Sequence, residues 1–175
     1  MENTTDTKKL TMTALLAALA LIFSYIEVLI PFSPAIPGIK LGIANLAVIV
    51  ALYHMGLKYA ITINVVRIFI AGLLFSGVFG IIYSLAGAIL SMTVMVLLKK
   101  TGLFSVAGVS MAGGVAHNLG QILAAAFLVS NLSSFIYFPV LIFSGLISGA
   151  LIGIVAYIIL KRLPGDRPTR QHDDE

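Results

Sequence analysis

Side chains that can hold a ligand or move a proton are scarce along most of this chain, so each one is informative. Between Leu10 and Leu160 the only charged residues are Glu27, Lys40, Lys58, Arg67, Lys99 and Lys100. Glu27, Lys40 and Arg67 stand in apolar sequence together with the polar Asn45, His117, Asn118 and Gln121. His117 and Gln121 are four residues apart, which puts them on one face of a helix. Two cations against one carboxylate suit an anionic or amphiphilic small molecule. Lys40 follows Pro31, Pro34, Pro37 and Gly38, a stiff stretch ending where a helix begins. A helix start offers free N–H groups and a partial positive charge to a carboxylate or phosphate. Two plainer roles compete with these. Arg67 can pair with Glu27 simply to fix a bundle, and Lys40 can reach up to lipid headgroups.

Bond-making chemistry is much less accessible to this set. Asp is absent between residues 7 and 165, so no Ser/His/Asp arrangement can be assembled. Cysteine is absent altogether, which removes thiolate catalysis, disulfides and Cys-ligated metals. His54 and His117 lack a nearby carboxylate in sequence, and no metal-ligand spacing occurs. There is no phosphate-binding loop, so ATP hydrolysis would have to come from another chain. The expectation is a protein without catalytic residues, metal or cofactor.

The elements that must position these residues follow from composition. Of 175 residues, 59% are apolar and 10% charged, against roughly 25% charged in a typical soluble domain. A soluble chain of this size could not cover so much apolar surface. Lipid is therefore the expected solvent, which argues against a soluble enzyme, a nucleic-acid binder and a secreted domain. A spanning helix needs about 20 mostly apolar residues. Breaks at Pro31–Lys40, Gly56–Lys58, Ser76–Gly80, Lys99–Ser105 and Asn131–Ser134 leave segments near 10–30, 41–55, 59–76, 78–98, 107–130 and 136–160. The expected fold is an all-α integral membrane protein of six transmembrane helices. Residues 1–9 form an N-terminal tail, 10–162 the membrane domain and 163–175 a disordered tail.

Charge sets the orientation. With the N-terminus inside, Lys8, Lys9, Lys58, Lys99, Lys100, Lys161, Arg162, Arg167 and Arg170 fall on the cytoplasmic side, and only Lys40 falls outside. Lys and Arg are retained on the cytoplasmic side of membranes, so both termini are expected there, in the cell membrane. The apolar run past Ala18-Leu19-Ala20 continues to Ile30, which reads as a retained helix and not a cleaved signal. Glu27, Lys40, Asn45, Arg67, His117, Asn118 and Gln121 then lie between the midplane and the outer surface. Phe32, Phe79, Tyr83 and Tyr137 lie at the same outer level. That bias suggests a cavity opening outward.

Small residues form a second pattern. Ala14 and Ala18, Gly87 and Ser91, and Gly145, Gly149 and Gly153 are spaced by four. Such spacing lets helix backbones approach closely. The glycines suit internal packing, while Ala14 and Ala18 could instead meet another protein.

Three stretches carry a resemblance to a known family. Pro37-Gly38-Ile39-Lys40-Leu41-Gly42-Ile43-Ala44-Asn45, Val66-Arg67-Ile68-Phe69 with Ser84-Leu85-Ala86-Gly87, and the run from Val109 through His117-Asn118 to Gln121 resemble the Gx transporter family, also called heptaprenyl diphosphate synthase component I. The resemblance spans about residues 8 to 160. That family resembles the substrate-binding S components of energy-coupling factor (ECF) transporters, six-helix proteins that capture a small molecule from outside. The resemblance implies docking on a membrane scaffold with two ATPase subunits, through Ala14 and Ala18 on the first helix. It also places the ligand site toward the outer side. The synthase label fits the residues less well, because prenyl transfer uses Asp-rich Mg²⁺ sites and the one paired Asp here is Asp173-Asp174 in the tail. A non-catalytic membrane accessory role in isoprenoid synthesis is the alternative.

Overall fold

The computed structural model describes residues 2–30, 42–130 and 132–163, with side chains left out at 2–5 and 132–134. The described residues are helical apart from short turns. The helices are α1 (Glu2–Leu29), α2 (Asn45–His54), α3 (Leu57–Ala71), α4 (Gly77–Thr101), α5 (Val106–Val129) and α6 (Phe138–Arg162). A π-helical turn, Gly72–Ser76, extends α3, and a 3₁₀ turn, Leu132–Tyr137, leads into α6. Lys40 and the Pro31–Lys40 stretch lie outside the described residues, as do residues 164–175 of the expected tail. The first helix begins earlier than the apolar segment at residue 10, because nothing from Glu2 onward interrupts helix formation.

Four stretches are long and apolar enough to cross a membrane: Asp6–Leu29, Leu57–Thr101, Val106–Val129 and Phe135–Arg162. The protein is therefore a multi-pass membrane protein. The expected count of six differs from this in two places. The expected second span, 41–55, is a helix only over the 10 residues Asn45–His54. That is about 15 Å of helix, half the roughly 30 Å hydrocarbon core. Its Ala47–Leu52 run is entirely buried, so α2 is shielded by protein over most of its length. The expected third and fourth spans form one apolar stretch of 45 residues. This stretch is not a straight rod. Gly77 has φ +67° and ψ −175°, a conformation open to glycine but costly for other residues. Beyond it the chain folds back. A Cβ at Gly72 would fall 2.1 Å from Ile81 Cγ1, an approach that a straight helix nine residues long could not bring about.

Packing is ordered around a central space. α5 lies between α4 and α6, α6 meets α2, α4 meets α3, and α1 rests on α2 and α3. The apolar core joins Leu16 and Ala20 of α1, Leu52 of α2, Ala60 and Ile63 of α3, Met95 of α4, Val106 of α5 and Ala156 of α6. Because successive helices alternate in direction, these residues gather at one end of the bundle. Lys99 Nζ finishes that end by donating to Leu52 O at 2.6 Å, at the C-terminal turn of α2. It also lies 4.7 Å over the Tyr53 ring.

α4, α5 and α6 meet through glycine. A Cβ at Gly149 would stand 2.7 Å from Met111 Cα, and one at Gly153 2.5 Å from Ala107 Cα. Gly114 and Gly145 face each other with similar closeness, and a Cβ at Gly120 would fall 2.6 Å from Ala86 O. Such spacing allows backbones to touch, which is how membrane helices gain packing energy without a hydrophobic driving force. The small residues of α6 are thus internal packing positions. Ala14 and Ala18, by contrast, are exposed on α1.

Candidate functional site

Between the helices lies a cavity of about 100 Å³, bordered by the core residues Ile49 and Met95. Glu27 of α1, Asn45 of α2, Arg67 of α3, and His117, Asn118 and Gln121 of α5 all line it. Six residues chosen from an apolar sequence for their polarity therefore share one space. The seventh, Lys40, lies outside the described residues.

Four of these side chains, Glu27, Arg67, His117 and Asn118, are positioned by a local feature. Glu27 accepts a hydrogen bond from Ile43 N at 2.5 Å, at the turn preceding α2. A carboxylate there complements the positive N-terminal end of α2. The helix start that could receive a ligand's anion thus already has a protein carboxylate beside it. Glu27 also interacts electrostatically with Arg67, so the bundle-fixing role and the cavity-lining role coexist in one pair. Arg67 donates from Nη2 to Asn64 Oδ1 at 2.7 Å. Its Nε is buried with no hydrogen-bond partner among the described residues. Leaving a buried donor unmade costs roughly 1–3 kcal/mol, a cost that a ligand or water in the cavity would relieve.

On the opposite wall Asn118 Nδ2 donates to Leu141 O of α6 at 2.7 Å, which steers its amide oxygen away from that contact. His117 sits against Gly87 of α4, where a Cβ would come within 2.8 Å of His117 Cε1. The absent side chain makes the space for the imidazole. Ser84 of α4 and Ser148 of α6 add hydroxyls to the lining. Among the described residues no group of three or more His, Asp or Glu could hold a metal ion.

Sequence reasoning missed several participants. Asn64 was legible in principle, since it precedes Arg67 by three residues on the same helical face. Gly87 carried a packing signal only, and its service to His117 depends on how α4 and α5 cross. The π-helical turn had no signal at all, although its Gly72, Phe75 and Ser76 line the cavity; such turns often occur at functional sites. The aromatic residue at the cavity is one that sequence reasoning did not single out. Phe75, not Phe79, Tyr83 or Tyr137, lines it, and its ring lies 5.3 Å from that of Tyr25. Phe79 and Tyr137 are exposed, and Phe32 lies outside the described residues.

Fold and cavity together define a multi-pass helical membrane protein with polar side chains from several helices around one cavity. By its sequence over residues 16–159 the chain matches, and belongs to, the family described as heptaprenyl diphosphate synthase component I. No curated protein and no solved structure matches it.

Proposed function

We propose that this protein is the substrate-binding membrane subunit of an uptake system, capturing a small anionic or amphiphilic molecule from the outer side. The observation that carries this reading is the convergence of Glu27, Asn45, Arg67, His117, Asn118 and Gln121 on one cavity bordered by the apolar core. Scattered structural polar residues have no reason to share a space. In this reading the chain crosses the cell membrane six times, α2 serving as a short buried crossing and Gly77 turning the α3–α4 stretch back. Both termini are cytoplasmic, as the distribution of Lys and Arg favours. The protein is not an enzyme. Energy comes from partners resembling an ECF module, a membrane scaffold and two ATPases, reached through the exposed Ala14 and Ala18 face. Lys40 belongs to the same site. Arg67→Ala and Lys40→Ala variants, at normal membrane levels, are expected to lose most ligand retention in native mass spectrometry and most uptake in cells. Wild-type uptake by both would overturn the reading.

A second reading rests on the family's description: a non-catalytic membrane accessory component of heptaprenyl diphosphate synthesis. It predicts that a soluble prenyl synthase co-purifies with the chain, and that replacing the cavity residues leaves that association intact.

A further inference from the structure

The cavity is too small for a whole ligand of ordinary size. At about 100 Å³ it falls below the roughly 300–1,000 Å³ of pockets that engulf a drug-sized molecule. It has room for a headgroup, and the rest of the ligand must then project out of it. What lies at its edge shows which medium the projecting part meets. Val28 of α1 and Phe75 of the π-helical turn line the cavity and are also exposed, at 50% and 36%. Tyr25, stacked on Phe75, is 47% exposed. Leu29 and Leu73 continue this surface, both exposed. The rim between α1 and the π-helical turn is therefore apolar, and it belongs to stretches apolar enough to sit in a membrane. A water-soluble ligand would gain nothing from such a rim, whereas an acyl or alkyl chain would lie on it without leaving lipid.

We infer that the site takes a long-chain anionic amphiphile, its phosphate or carboxylate headgroup beside Arg67 and its chain leaving sideways between Tyr25, Val28 and Phe75 into the bilayer. This rests on the cavity being a ligand site, as proposed above, and adds the ligand's class and its route. Arg67 supplies the charge, with its Nε buried and unmatched among the described residues. Gln121 supplies an amide N–H that can donate to headgroup oxygens. The Tyr25–Phe75 ring pair is the part of the rim that must yield for a chain to pass. Glycine at position 72, immediately behind Phe75, keeps that turn close to α4.

The test uses the full chain in phosphatidylcholine nanodiscs with dodecyl phosphate carrying a mid-chain diazirine. After illumination, the label is expected on the peptides holding Tyr25, Val28 and Phe75. Excess unlabelled dodecyl phosphate or dodecanoate should reduce it by about fivefold or more, a change of about 1 kcal/mol, and Arg67→Gln should do the same. Phe75→Ala leaves Arg67 in place while removing the rim ring and its contact with Tyr25, and should redistribute the label even if Arg67→Gln folds poorly. Equal competition by phosphatidic acid would support the site and name a bilayer lipid as the occupant. Label spread evenly over the exposed faces of α1, α3 and α6, or indifferent to competitor, would overturn the inference. Inorganic phosphate binding separates the two levels. If it binds in an Arg67-dependent way while the label is unspecific, the anion site stands and the sideways route fails. If neither binds, both fail.

Discussion

The two halves of the bundle are built on different principles. α4, α5 and α6 meet backbone to backbone through Gly87, Gly114, Gly120, Gly145, Gly149 and Gly153. α1, α2 and α3 meet through branched side chains, with Leu16, Val48, Ile49 and Ile63 in the buried core, and they carry the cavity's charged pair, Glu27 and Arg67. The contrast teaches how a membrane protein can keep a charge in its interior. A tight glycine seam forms one rigid wall, with neutral amides and an imidazole facing the cavity. The other wall holds opposite charges that satisfy one another in part. A buried cation is tolerable there because Glu27 and Asn64 offset its desolvation, whereas the glycine seam offers no such partners.

That contrast can be broken in four places. The largest effect is expected from Gly149→Leu, whose side chain would collide with Met111 and Ser110 backbone atoms. Overpacking costs about 1–3 kcal/mol or more, so the variant should lose its monodisperse peak in detergent size-exclusion chromatography. Survival of that peak would mean that the seam is softer than its spacing implies. Next is Gly87→Ala, which pushes on His117. Overpacking of about 1–3 kcal/mol should lower the melting temperature and, as the sharper sign, weaken ligand retention beyond what an equally destabilising core change does. Ile63→Val supplies that reference change: Ile63 is fully buried in the α1–α3 half, and removing one methylene costs about 0.5–1.5 kcal/mol. Retention should then be unchanged after correction for folding. The smallest effect on stability is expected from Ala14→Trp with Ala18→Trp, since exposed changes usually stay within about 0.5 kcal/mol. If α1 meets a scaffold, this variant should fold normally yet fail to co-purify with it, and wild-type association would remove that role from α1.

How far the sequence could be read differs along the chain. The breaks near Gly56, Ser76 and Lys99–Ser105 appear where glycine and charge interrupt the apolar runs, because an exposed polar backbone is costly in lipid. Glu27, Arg67 and His117 were legible for the same reason, since any polar group in such a segment stands out. The length of α2 was not legible. Hydropathy reports that Gly42–Met55 is apolar, but an apolar segment reads the same whether lipid or protein surrounds it. Phe75 was hidden likewise among apolar neighbours, and only the π-helical turn brings it to the cavity.

By itself the sequence determined the solvent, the all-helical class, the chain breaks and the short roster of polar residues, because each follows from the local cost of placing a group in hydrocarbon. Tertiary structure alone decided which of those residues meet, that Glu27 is held by Ile43 N, that Gly87 makes room for His117, and that the cavity's rim is apolar. Those facts depend on how helices cross, and crossing is set by shape complementarity between residues distant in the chain, a property that no single segment carries.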